Sequence, residues 1–325
     1  MIHVEDKRLT LPDARILAYA DNGNTSSSIV VLYLHGVFTV GDASRLSPAL
    51  LEKNVHFVAP TLPGWGASSP IPDVSSYPKT FAADITVLLN YLHPQQQNLK
   101  LYICAHCFGT VVAQMLCNLS YDVFPLGHRI SACILVSPYS PPHCHFAYAR
   151  SMSWQPYVLA GPPARYVPFN ILPRLFRLII SLRVQSRPAT DAVVQKYLFD
   201  GLSEEETESL LKWKERHGVE EGQFEKEIVR NAIKSVALTW RGFLDMPTIY
   251  HSNYGWRPPN FEDRPSAPYF YIVCAQDDPI IPAAMAQWLA KEYGTMVHFT
   301  ILNGSRLSAL IHLDEVWENV FNDHP

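Results

Sequence analysis

What most constrains this chain is a set of short, almost unbroken apolar runs: Ile29–Leu34 (IVVLYL), His56–Pro60 (HFVAP), 99–104 (LKLYIC), 132–136 (ACILV), 269–273 (YFYIV) and Val297–Leu302 (VHFTIL). Each is rich in β-branched or aromatic residues and bounded by turn formers, so each reads as a strand. A strand with one wet face alternates apolar and polar residues, whereas continuous apolarity requires cover on both faces. Helical periods fill the gaps at residues 81–92, 109–119, 282–292 and 313–321. The expected fold class is α/β, a mostly parallel central sheet with helices on both faces.

Between residues 137 and 268 the pattern changes. Pro-rich pieces (Ser137-Pro-Tyr-Ser-Pro-Pro, Gly161-Pro-Pro, Pro168 to Pro173) alternate with aromatic residues, and they help raise proline to 26 against only 15 glycines. A charged amphipathic stretch follows at 202–236, acidic early and basic later, as suits a capped, solvent-facing helix. The expected organisation is a core of residues 1–136 and 269–325, with 137–268 inserted as a helical lid. Trp154 and Tyr157 are the insertion's candidates for lining a pocket.

The composition, 48% hydrophobic and 17% charged with a formal charge of -4, excludes disorder, collagen-like repeats and an electrostatic nucleic-acid binder. Six cysteines show no paired framework. Cys104 and Cys107 form a lone C-x-x-C with no second pair at zinc-site distance, so no metal and no cofactor are expected. Reduced thiols, a polar N-terminus and the absence of a long apolar span lead to the expectation of a cytoplasmic protein with no membrane span. A homodimer is left open.

Four pieces carry chemistry. His35-Gly36-Val37-Phe38 follows a strand directly, and the glycine permits a tight turn from which the N–H of Val37 or Phe38 can face a developing oxyanion. Pro63-Gly-Trp-Gly-Ala-Ser68 makes a sharply bent loop after the next strand. Ala105-His-Cys107-Phe108-Gly109-Thr joins a strand to a helix, with small residues two before and two after Cys107, the pattern of a nucleophile elbow in which Cys replaces Ser. His106, in the variable elbow position, is expected to pack structurally. Finally, Asp277-Asp278-Pro-Ile-Ile-Pro282 ends one strand and Asn303-Gly-Ser-Arg306 follows another.

In this order the motifs resemble the α/β-hydrolase superfamily of esterases, epoxide hydrolases and lyases, from about residue 10 almost to the C-terminus. The resemblance implies an oxyanion turn at His35-Gly36, with Val37, Phe38 and Phe108 around the site. It further implies a nucleophile at Cys107 and a triad acid at Asp278, with Asp277 as the fallback. Where the family carries its catalytic histidine, this chain has Arg306. His312, on the following helix, is the fallback base. His35 could also donate to a substrate carbonyl.

Arginine cannot replace histidine as a proton shuttle, because its pKa exceeds about 12. A cysteine can be ionised by its surroundings, yet an acyl-enzyme still needs a base to activate water. In serine hydrolases, loss of the base costs on the order of 10⁶ in kcat. A non-hydrolytic reaction on a lipophilic, carbonyl-bearing metabolite is therefore expected, such as isomerisation, cyclisation, aldol or retro-aldol chemistry, or elimination. Two alternatives are a Cys-dependent esterase, lactonase or thioesterase, and a ligand-binding receptor without catalysis. The receptor would show an apolar lid exterior, whereas residues 202–236 are highly charged.

Overall fold

The computed structural model describes residues 6–94, 98–184, 186–254 and 267–324. Eight strands form one sheet: β1 (Lys7–Thr10), β2 (Ile16–Gly23), β3 (Ile29–Leu34), β4 (His56–Pro60), β5 (Lys100–His106), β6 (Ile130–Val136), β7 (Tyr269–Ala275) and β8 (Val297–Leu302). Their order is β1-β2-β4-β3-β5-β6-β7-β8, antiparallel at β1/β2 and β2/β4 and parallel from β4 onward. The mostly parallel sheet expected from the apolar runs is present. The β1–β2 hairpin was not legible in them, because β1 is exposed at the sheet edge and β2 includes the buried, polar Asp21. Asp21 is matched by Lys7 Nζ at 2.7 Å and His56 Nε2 at 3.2 Å, which ties β1, β2 and β4 together.

Helices cover both faces, as parallel strands require. The core helices are α1 (Pro48–Glu52), α2 (Tyr77–Leu92) and α3 (Gly109–Asn118). Between β6 and β7 the chain forms α4 (Trp154–Ala160), α5 (Pro162–Tyr166), α6 (Ile171–Val184), α7 (Arg187–Val194), α8 (Glu204–Arg216), α9 (Gln223–Val236) and α10 (Arg241–Tyr250). The C-terminal part adds α11 (Ala283–Tyr293), α12 (Arg306–Ile311) and α13 (Leu313–Asp323). One face of the sheet buries Ile85, Leu88, Val111, Met285 and Leu289, and the other buries Leu50, Trp317, Val320 and Phe321.

The charged stretch 202–236 is two helices rather than one. Gly218 and Gly222 both adopt positive φ (59° and 67°) and break it between α8 and α9. Helix α8 begins with a capping box in which Ser203 and Glu206 satisfy each other's backbone N–H groups. Helix α12 starts at Arg306 itself, one residue after the turn that ends β8.

Candidate functional site

Strand β5 delivers Cys107 into the turn before α3, where it adopts φ 55°. For a non-glycine residue this is a strained conformation, held here because the Cys107 N–H donates to the Val136 carbonyl (3.0 Å) and the Cys107 carbonyl accepts from Thr110 N (3.0 Å) and Oγ1 (2.6 Å). The turn also needs space. A Cβ on Gly109 would lie 2.1 Å from the Leu34 carbonyl oxygen, and one on Gly36 would lie 2.9 Å from the Cys107 Cβ. The β3 turn and the β5 turn are thus pressed against one another through two glycines.

Asp278 and Arg306 arrive from the ends of β7 and β8. The guanidinium grips the carboxylate with two bonds, Nε to Oδ2 at 3.0 Å and Nη2 to Oδ1 at 3.1 Å. Asp278 Oδ1 also accepts from the N–H groups of Ile280 (2.9 Å) and Ile281 (3.0 Å). Burial pushes the Asp278 pKa upward, but the Arg306 charge and these hydrogen bonds outweigh it and hold the carboxyl below its usual range. For Arg306, burial opposes the charge, while Asp278 overrides that effect and raises its pKa. The remaining Arg306 nitrogen, Nη1, points to Cys107 Sγ at 3.8 Å. Cys107, Asp278 and Arg306 therefore meet in one buried cluster. The fallback Asp277 is exposed, its N–H bonded to the Gly304 carbonyl at 3.0 Å.

The histidines divide differently from expectation. His35 is fully buried and commits both nitrogens to backbone: Nε2 accepts from Leu62 N–H at 2.9 Å, so Nδ1 must donate, to the Gly36 carbonyl at 2.7 Å. Burial lowers its pKa to about 4. The expectation that His35 donates to a substrate is thus overturned, since no ring N–H is left to give. His312 lies at the junction of α12 and α13, paired with Glu315 at 3.1 Å, and it faces a separate polar cleft of about 490 Å³ beside α8. That places the fallback base away from Cys107.

His106, expected to be structural, has no hydrogen-bond partner at its buried Nε2 among the described residues. Burial first, and then the nearby Arg306 charge, push its pKa down to about 3. It lines an open cavity of about 370 Å³ bordered by the β3 turn and the helices α8, α9, α12 and α13. The cavity walls include Val37, Phe38, His106, Trp213, Asn231 and Arg306, but not Cys107, which is 3% exposed. The N–H groups of Val37, Phe38 and Phe108 make no hydrogen bond within the described residues, and Phe38 is held by ring contacts to Trp65 (5.8 Å), Phe243 (5.3 Å) and Trp240 (6.3 Å).

Trp154 and Tyr157 do not line this cavity. They stand on the outer side of α4, 68% and 40% exposed, because the inner side of that helix is spent on burying Ala160. The insertion's aromatic contribution comes instead from Trp213 on α8 and Phe224 on α9. Their signal was in the sequence, as aromatic residues inside a charged amphipathic stretch. Tyr139, just beyond β6, is a further neighbour: its N–H donates to Thr110 Oγ1 (3.2 Å), its carbonyl accepts from Gln114 Nε2 (2.9 Å), and its hydroxyl pKa is raised by burial and by Cys107, against the opposing effect of Arg306.

Glu206 completes the site from outside. Its Oε1 accepts from Ser305 N–H (2.6 Å) and Ser308 Oγ (3.0 Å), so the first turn of α8 caps the helix that carries Arg306. Partial burial would raise its pKa, yet these bonds and that from Ser203 N–H bring it down to about 2. Among the described residues no three His, Cys, Asp or Glu side chains are placed to hold a metal ion together, and no helix is long and apolar enough to cross a membrane.

This architecture is shared by known proteins. The chain superposes on an alpha/beta hydrolase fold protein from Chitinophaga pinensis with a TM-score of 0.61 at 12% identity, covering 99% of this chain and 98% of the other. It superposes equally (0.61, 14% identity, 99% and 98% coverage) on an epoxide hydrolase mutant from Vigna radiata, and on an esterase from Exiguobacterium antarcticum (0.56, 12% identity, 98% of each chain). A sequence comparison with curated proteins returns no match. At such identities the superpositions show the fold alone. The family model described as the alpha/beta hydrolase family matches residues 31–314, most of the sequence, and the chain belongs to that family.

Proposed function

We propose that this protein is an enzyme that carries out a non-hydrolytic rearrangement, such as a cyclisation or isomerisation, of a lipophilic carbonyl-bearing small molecule in the 370 Å³ cavity. Residues 137–268 serve as its lid, and Arg306 with His106 forms its electrophilic pair. The observation that carries this reading is the Arg306 geometry: the guanidinium takes the base's place beside Cys107 and is locked to Asp278 by two hydrogen bonds. Arginine gives up no proton, so it cannot relay one between thiol, leaving group and water.

What Arg306 can do is polarise. Arg306, whose Nη1 makes only a long contact, to sulfur, and His106 both line the cavity. A neutral imidazole of low basicity is a poor base and a good hydrogen-bond donor, and each pre-organised donor to a developing oxyanion is worth about 3 to 4 kcal/mol. In a cyclisation, an internal hydroxyl or enol of the substrate would bond to the polarised carbonyl carbon. The C=O π electrons would move to oxygen, and the nucleophile's proton would transfer to that oxygen, leaving the mass unchanged.

The test uses p-nitrophenyl butyrate as a probe. The wild type is expected to show no enzymatic turnover, while the Cys107→Ser/Arg306→His double variant gains ester cleavage. Cys107-dependent turnover by the wild type would overturn the proposal in favour of a Cys-dependent esterase.

A further inference from the structure

The apolar residues that the structure leaves in water are concentrated on one part of the insertion, so it does present an apolar exterior, at 146–182, beside the charged 202–236. Ten of its large exposed hydrophobic side chains fall between Phe146 and Leu182. Helix α6 makes the pattern explicit. Pro173, Phe176 and Ile180 turn inward toward the core, yet Leu175, Leu178, Ile179 and Leu182 are 52%, 63%, 51% and 71% exposed. Spaced at three, four and seven residues, these four and Ile171 form a second apolar stripe on the side of the helix away from the protein. At helical spacing Arg174 flanks one edge of the stripe and Arg183 the other, while Arg177, further round the helix, lies over the Trp240 ring at 5.8 Å. Phe146, Trp154, Tyr166 and Phe169, all well exposed, belong to neighbouring segments.

The charge around this face has one sign. Residues 130–190 contain no Asp or Glu, and their six basic side chains are all arginines, at positions 150, 165, 174, 177, 183 and 187, in a protein whose net charge is -4. All six are exposed, and none is ion-paired among the described residues. A second copy apposed through this face would set arginines against arginines. A protein partner would need pockets for its anchoring side chains, and neither of the two cavities described above is lined by these residues. An apolar stripe edged with arginines and bordered by Trp and Tyr suits the boundary between headgroups and acyl chains of an anionic bilayer.

We propose that α6 and its flanking segments form a peripheral docking surface for an anionic phospholipid membrane, with the helix lying in the plane of the headgroups. The protein binds on the bilayer without crossing it. The surface is independent of the chemistry at Arg306.

Vesicle co-sedimentation of the full chain tests this, with phosphatidylcholine vesicles compared with vesicles containing about 30% phosphatidylserine at about 0.1 M salt. Two variants are included, Leu178→Ser/Leu182→Ser and Arg174→Glu/Arg183→Glu. All four positions are exposed, and thermal melting checks that each variant stays folded. The expected result is partition into the anionic vesicles only, weakened by salt and reduced more than tenfold in both variants. No partition into anionic vesicles, or partition unchanged in the variants, would overturn the proposal. So would a wild-type dimer in sedimentation velocity that both variants convert to monomer, since the face would then be a self-interface.

Discussion

Arg306 and Asp278 illustrate how much a single substitution changes in a buried site. The ion pair is buried and doubly hydrogen-bonded, so removing one partner strands a buried charge, which typically costs about 3 to 5 kcal/mol. Arg306→Met and Asp278→Ala are each expected to lower unfolding free energy in urea by about that amount, and Arg306→Met/Asp278→Asn by clearly less than the sum of the single changes. Acid adds a second effect. The folded pKa of His35 is about 4, below the ordinary value near 6.5, so the unfolded chain takes up the proton first. Its contribution is complete above about pH 6.5 and is lost progressively as pH falls to about 4, up to about 3 kcal/mol. Urea titrations at pH 7, 5.5 and 4.5 check the sign, and His106, with its pKa near 3, steepens the same decline. For the proposed chemistry, His106→Phe is expected to cost ten- to a thousandfold in kcat while His106→Gln, which keeps a donor, costs less.

At the scale of elements, the site depends on contacts between segments distant in sequence. Helix α3 can begin against β3 only because Gly109 has no side chain, and Gly109→Ala is expected to destabilise the protein by more than about 3 kcal/mol, or to prevent soluble expression. The cap that Glu206 places on α12 is different in kind, since it links the insertion to the loop carrying Arg306. Glu206→Ala should cost about 1 to 2 kcal/mol globally. Hydrogen exchange should show the loss concentrated at 305–308, with the β5 and β6 amides unchanged. Of these elements, the turn between β5 and α3 was legible because small residues at Ala105 and Gly109 sit two positions either side of Cys107, a spacing that the turn itself demands. Glu206 was legible only as an acidic residue early in a helix. Its role across 99 residues of sequence follows from how the insertion folds back.

Across the whole molecule, a rigid sheet buried on both faces supports an insertion joined to it through polar ties as well as apolar contacts. Arg45 to Glu227 (2.6 Å), Asn231 to Asp42 (2.5 Å) and Lys234 to Asp6 (2.7 Å) link α9 to the core, and all involve partly exposed groups. Such pairs are screened by salt. About 1 M NaCl is therefore expected to raise hydrogen exchange in α8 and α9 while leaving the central strands unchanged. The sequence by itself determined the six parallel strands β3 to β8, because continuous apolar runs have few stable alternatives to a strand covered on both faces. It also determined the cysteine turn after β5 and the arginine after β8, since strand ends and tight turns bring their own local chemistry. Tertiary structure alone decided that His35 is spent on backbone, that His106 Nε2 has no hydrogen-bond partner among the described residues, that Trp213 rather than Trp154 faces the cavity, and that α6 turns a second apolar stripe outward. Each of these depends on which side of a residue another segment packs, and local periodicity does not encode that.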